Sequence, residues 1–108
     1  MNEKNNDFQA RLQVLRDRYA ASLPEKITAI NTQWQCLDEE WDWGVAVVLH
    51  QMIHNLAGSG ASFGYAQLSV QAREIDVELR IVIGEKVIPA PDDWAKLVRQ
   101  LTDLQNVI

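Results

Sequence analysis

Apolar side chains recur at intervals of three and four residues along nearly the whole chain, the spacing typical of helices with one buried face. Five segments with this pattern follow one another. Their stripe positions are Phe8, Leu12, Leu15 and Tyr19; Ile27, Ile30, Trp34 and Leu37; Leu49, Ile53, Leu56, Gly60 and Phe63; Tyr65, Leu68, Ala72, Ile75, Leu79 and Val82; and Trp94, Leu97, Leu101, Leu104 and Ile108. The pattern therefore predicts five helices.

Residues suited to helix ends separate these segments. The second helix is predicted to start at Ser22-Leu23-Pro24-Glu25. The Ser hydroxyl and the Glu carboxylate can accept hydrogen bonds from free backbone N–H groups of a first turn, and Pro, which has no N–H, loses no hydrogen bond there. Acidic residues at 38–42 predict a third helix that begins near Trp41 to Gly44, where they complement its dipole. Gly84 and the Pro89-Ala90-Pro91 stretch predict the last break.

Narrow, regular stripes of this kind are buried well by elongated helices that pack nearly antiparallel. We predict an all-α protein, an up-down antiparallel four-helix bundle with an N-terminal accessory helix. Residues 1–108 form one domain, with the accessory helix at 1–22 and the bundle at 23–108. The β-rich run Leu79–Ile83 has no second strand to pair with, so we interpret it as the end of the fourth helix.

Length and composition narrow the class of protein. A chain of 108 residues with 47% apolar residues suits a single folded core. The formal net charge of -5 argues against binding to nucleic acid or to an anionic membrane surface. We find no signal-peptide pattern and no apolar run of about 18 residues, and Cys36 has no disulfide partner. These features favour the cytoplasm.

The segment from His50 to Tyr65 carries the candidate chemistry. On a helix, positions 50, 54, 57, 58 and 61 share one face, which holds two histidines and otherwise only Ala and Gly. We expect His54 to be exposed beside a patch of almost bare backbone. Gly58 and Gly60 each cost a helix about 1 kcal/mol relative to Ala. Close approach of another backbone or of a partner protein would explain them, and a neutral imidazole is a suitable nucleophile.

The stretch from His54 to Gly64 resembles the signature of the histidine-containing phosphotransfer (HPt) domain. That signature has His, an apolar residue two positions on, Lys three on, Gly four on, small residues, an apolar residue nine on and Gly ten on. The corresponding residues here are His54, Leu56, Ala57, Gly58, Ser59 to Ser62, Phe63 and Gly64. The match is complete except at Ala57, which stands where the family usually has Lys.

The resemblance implies a phosphorelay intermediate. His54 would accept a phosphoryl group on Nε2 from a receiver-domain aspartate and pass it to the receiver of another response regulator. The expected receiver-binding residues are His50, Gln51, Ala57, Gly58, Ala61 and Gly64. The resemblance implies no cofactor and no metal in this chain, since the Mg²⁺ used in transfer belongs to the receiver. It also implies no ATP binding, and the sequence has no phosphate-binding loop. We expect a monomer.

Other interpretations of the same residues stay open. Because Ala57 lacks the charge that helps to hold a phosphoryl group, the chain could bind and sequester a receiver without transfer. The apolar stripes could instead serve assembly. His50 and His54 have the i, i+4 spacing of zinc ligands, but Gln51 stands where a metalloprotease has Glu. We interpret Glu74, Asp76 and Glu78, which alternate with Arg73 and Arg80, as a solvated face without a catalytic pair.

Overall fold

A computed structural model describes residues 2–108, with side chains described from Asn6 onwards, so Met1 of the predicted accessory helix lies outside the described residues. Four α-helices follow one another: α1 (Asn2–Glu39), α2 (Trp43–Ser62), α3 (Ala66–Glu85) and α4 (Pro91–Asp103), with a 3₁₀ turn at Leu104–Val107. No strand occurs within this range. The predicted all-α four-helix bundle is confirmed.

Most positions of the predicted stripes after residue 18 form the core. Short connections make neighbouring helices antiparallel, and α2 packs most extensively against α3. The side chains that exclude water at the centre of the bundle are Ile30, Leu49, Ile53, Leu56, Leu68, Ile75, Leu79, Leu101 and Leu104. The β-rich run Leu79–Ile83 is helical, as expected. The Trp94 indole Nε1–H donates to Asp38 Oδ1 at 2.8 Å and links α4 to α1.

The predicted break at residue 22 is wrong, because α1 is a single helix of 38 residues that runs through Pro24. The Ser22 hydroxyl does not cap a helix start; it donates to the Tyr19 carbonyl at 2.6 Å. Tyr19, Leu23 and Ile27 form one buried stripe across the proline. Burial of that stripe outweighs the hydrogen bond lost at Pro24, since propensity is weaker than tertiary packing.

The accessory segment is therefore the first part of α1 and not a separate helix. Between Asn6 and Arg18 only Leu12 is half-buried, and the other side chains are exposed. Phe8 and Leu15, which the spacing assigns to a stripe, are 59% and 48% exposed. The longest dimension of the molecule, 59 Å, follows from the length of this helix.

The remaining helix ends agree closely with the sequence signals. Asp42 caps α2 as predicted, since its Oδ1 accepts from the backbone N–H of Val45 at 3.1 Å. Gly64, with φ of +88°, makes the turn into α3 that a side chain would strain. The predicted break between the last two helices is also present. Helix α3 ends at Glu85, one residue after Gly84, and the backbone of Lys86 adopts the left-handed conformation with φ of 54°.

Across residues 2–108, no helix is both long enough and apolar enough to cross a membrane.

We expect Pro24→Ala to stabilise the protein. The substitution restores an N–H that can bond to the Ala20 carbonyl, so the free energy of unfolding rises by about 1–2 kcal/mol in urea denaturation. Pro91→Ala is the matched control, because Pro91 opens α4, where its missing N–H has no intrahelical partner. Equal effects of the two substitutions would contradict this account of α1.

Candidate functional site

His54 lies in the middle of α2, and its side chain is 64% exposed. The helix rotation that buries Leu49, Ile53 and Leu56 turns His54 away from the core. The exposed imidazole expected from the sequence is thus present. Gln51, Gly58, Ala61 and Gly64 are exposed as well.

Two of the predicted receiver-binding residues face α3 instead. Ala57 is only 4% exposed, so the expectation that it lies on the open face is wrong. Its carbonyl accepts a 2.8 Å hydrogen bond from the Ser69 hydroxyl, which closes α3 over this position. His50 is half-buried on the same side of α2. The exposed face of α2 is therefore narrower than the helical spacing suggested.

Asp76 is the functional residue that the sequence interpretation missed. It was assigned to a solvated face with Glu74 and Glu78, but it is only 4% exposed, in the seam between α2 and α3. Glu74 is exposed and Glu78 is half-buried. Helical spacing does indicate that Asp76 is buried, since it lies four residues after the buried Ala72 and seven after the buried Ser69.

The carboxylate of Asp76 lies among three nitrogen-bearing side chains. Its Oδ2 is 3.4 Å from His54 Nδ1 and accepts a 2.7 Å hydrogen bond from Arg80 Nη2. Its Oδ1 is 2.6 Å from His50 Nε2. The angles of this contact do not suit a hydrogen bond, so the interaction between the two side chains is electrostatic. These contacts join both histidines of α2 to α3.

This environment keeps Asp76 ionised. Burial alone would raise the pKa of the carboxyl, but the hydrogen bond from His54 and the charges of His50 and Arg80 outweigh it and lower the pKa below its ordinary value of 3.8. An ionised carboxylate can only accept, so a neutral His54 ring carries its proton on Nδ1. Its Nε2 then holds the lone pair and is the nucleophilic atom.

A shallow groove of about 320 Å³ adjoins the imidazole. It is lined by His54, Ala57, Gly58, Arg73, Asp76, Val77 and Arg80. Helix α2 contributes only small side chains besides His54, whereas α3 contributes two arginines. The positive charge beside the histidine therefore comes from the opposite wall of the groove.

The two glycines of α2 that follow His54, Gly58 and Gly60, have different structural reasons. A Cβ at Gly60 would lie 3.6 Å from both the Ser69 nitrogen and the Tyr65 oxygen, so Gly60 is where the backbone of the α2–α3 turn comes close. A Cβ at Gly58 would meet nothing within 4 Å. Nothing inside the described chain therefore accounts for Gly58, which leaves its surface open beside His54.

Within the described part of the chain, no group of three or more His, Cys, Asp or Glu side chains has the geometry to hold a metal ion. His50 directs Nε2 toward Asp76 rather than toward a site shared with His54.

No family model, no curated protein and no solved structure matches this chain.

We expect Asp76→Asn to lower the free energy of unfolding at neutral pH by roughly 1–3 kcal/mol, because the amide loses charge-assisted contacts to His54 and Arg80. Folding lowers the pKa of Asp76, so the ionised carboxylate stabilises the protein above the ordinary value of 3.8. That stabilisation is lost as the pH falls through the lowered pKa. The difference between wild type and variant in urea denaturation therefore narrows below pH 3.8.

Glu74→Gln serves as the control, since Glu74 is exposed on the same helix. A difference between wild type and Asp76→Asn that stays constant from neutral to acidic pH would show that the carboxylate charge is not what stabilises this seam.

Proposed function

We propose that the protein is a phosphorelay intermediate of the HPt class, in which His54 carries the phosphoryl group. The observation that carries this proposal is the exposed imidazole of His54, whose Nδ1 faces the buried Asp76 carboxylate. A held Nδ1–H leaves Nε2 free as a nucleophile on the surface of a helical bundle. The resemblance from His54 to Gly64 supports the same assignment.

In the proposed reaction, His54 Nε2 attacks the phosphorus of a receiver's aspartyl phosphate. The Nε2–P bond forms, the P–O bond to the aspartate breaks, and the carboxylate leaves with the electron pair. The ring keeps its Nδ1 proton and gains positive charge, which the Asp76 carboxylate offsets at 3.4 Å. Transfer to the next receiver reverses these steps, and the Mg²⁺ that assists them is supplied by the receiver.

The exposed residues around His54 suit close docking of a receiver. Gly58 and Ala61 leave the surface of α2 low, and Gln51 lies one turn before His54. Val77 of α3, at the edge of the groove, is 50% exposed and offers an apolar contact. We assign this surface, with Gly64 and the half-buried His50, to the receiver, and propose that the protein acts as a cytoplasmic monomer.

A receiver-sequestering module is the second candidate, favoured by Ala57. A buried Ala in place of Lys provides no charge of its own to hold a phosphoryl group. The two candidates differ in a direct measurement. Receiver binding that is unchanged by His54→Ala, with no movement of phosphate, favours sequestration.

His54→Gln is expected to abolish phosphoryl transfer while leaving the helical content unchanged. The assay incubates the chain with several phosphorylated receiver domains and follows acid-labile, alkali-stable label onto it. His50→Gln is the comparison at the other histidine. Because His50 is half-buried with Nε2 against Asp76, this variant still becomes labelled, at a rate lowered by the loss of a receiver contact. Label that persists in His54→Gln, or that disappears only in His50→Gln, assigns the phosphoryl group to another residue.

Gly58→Leu tests the docking surface separately from the nucleophile. A Cβ at this position meets nothing within 4 Å, and Leu favours the helix over Gly, so the free energy of unfolding rises by about 1 kcal/mol. The same side chain obstructs a docked receiver, and we expect transfer to slow by tenfold or more, about 1.4 kcal/mol.

The control is Gly84→Leu, at a second helical glycine whose Cβ would also meet nothing within 4 Å. It lies two turns beyond Asp76 on α3 and outside the groove. If both substitutions stabilise the fold and slow transfer equally, the surface around Gly58 is not the docking site.

A further inference from the structure

The pairing of α2 with α3 fixes which side chains lie beside His54. His54 is opposite Asp76, at 3.4 Å between Nδ1 and Oδ2, and the Ala57 carbonyl is opposite Ser69, at 2.8 Å from its hydroxyl. Arg73 is one turn after Ser69 and one turn before Asp76. It therefore stands on α3 at a level between Ala57 and His54.

Arg73 differs from Arg80 in how its charge is used. Arg80 Nη2 lies 2.7 Å from the Asp76 carboxylate. Arg73 lines the same groove and is exposed, and among the side chains that the structure describes it forms no salt bridge. Arg73 is thus the arginine of this groove with its positive charge uncommitted.

A phosphoryl group on His54 needs such a cation. It brings a charge of about -1.5 to -2 at neutral pH next to the ionised Asp76. The planar guanidinium group of arginine presents paired N–H donors that match phosphoryl oxygens. Besides His54, α2 lines the groove with Ala57 and Gly58, and neither side chain carries a charge.

We propose that Arg73 binds the phosphoryl group of phosphorylated His54, and so provides from α3 the positive charge that Ala57 does not provide from α2. This inference rests on the proposed function, because it concerns the phosphorylated state of the same histidine. Arg73 would act as a phosphoryl-binding residue and leave the nucleophile unchanged.

The test uses the full chain and phosphoramidate, a small donor that needs no receiver. His54 Nε2 forms a bond to phosphorus, the P–N bond of phosphoramidate breaks, and ammonia leaves. The ³¹P chemical shift of phosphorylated His54 is then followed against pH in wild type, Arg73→Gln and Arg73→Lys. Arg99→Gln is the control, since Arg99 is exposed on α4 and outside the groove.

A cation beside the phosphoryl group favours its dianion. We expect the midpoint of the ³¹P titration to rise by about half a pH unit in Arg73→Gln, the effect of one charge several ångströms away in a wet groove. Arg73→Lys restores most of the shift, and Arg99→Gln leaves the midpoint unchanged. Unfolding of a variant would not by itself produce a midpoint that rises in Arg73→Gln, returns in Arg73→Lys and stays unchanged in Arg99→Gln.

Two negative outcomes are distinguishable. If wild-type His54 is phosphorylated and its midpoint is the same in Arg73→Gln, the role of Arg73 is wrong and the proposed function stands. If wild-type His54 takes no phosphoryl group from phosphoramidate or from any receiver, the proposed function is overturned and the role of Arg73 with it.

Discussion

The buried carboxylate of Asp76 is the constraint on which the site depends. A charge removed from water costs several kcal/mol unless charged or hydrogen-bonding partners surround it. Asp76 meets this requirement with two histidines from α2 and with Arg80 from its own helix. The same contacts that keep the carboxylate ionised also fix the His54 ring, so stability of the seam and orientation of the nucleophile have one physical cause.

The position of this cluster follows from how closely α2 and α3 approach at one end. Gly60 admits the backbone of the turn, Gly64 reverses the chain at positive φ, and Ser69 hydrogen-bonds to the Ala57 carbonyl. These contacts set the register of the two helices, and the register places Asp76 opposite His54. The groove beside His54 is shallow for the same reason, because the close approach buries Ala57 and leaves Gly58 on the open side.

The sequence predicted the bundle and the exposed His54 because both depend on helical periodicity, which is local. It did not predict continuity through Pro24, where the gain from burying Tyr19, Leu23 and Ile27 in one stripe exceeds a local penalty. Burial of Ala57 escaped prediction because a small residue suits either face of a helix. Asp76 escaped because alternating charges resemble a solvated face, and only the pairing of α3 with α2 shows that this carboxylate lies in the seam.

In the proposed relay, the balance of charge around His54 bears on how readily phosphate moves on. A carrier must hold the phosphoryl group long enough to meet its partner and yet release it to another aspartate. Asp76 stabilises the charged ring of the intermediate but also repels the phosphoryl oxygens, whereas a guanidinium group across the groove attracts them. With the cation on α3 instead of α2, the attraction acts from the wall opposite the nucleophile, and the face of α2 around Gly58 stays bare. A receiver can then approach the phosphorus along that face without displacing a long charged side chain. In this arrangement, the surface on α2 that docks the receiver is separate from the group on α3 that holds the phosphate.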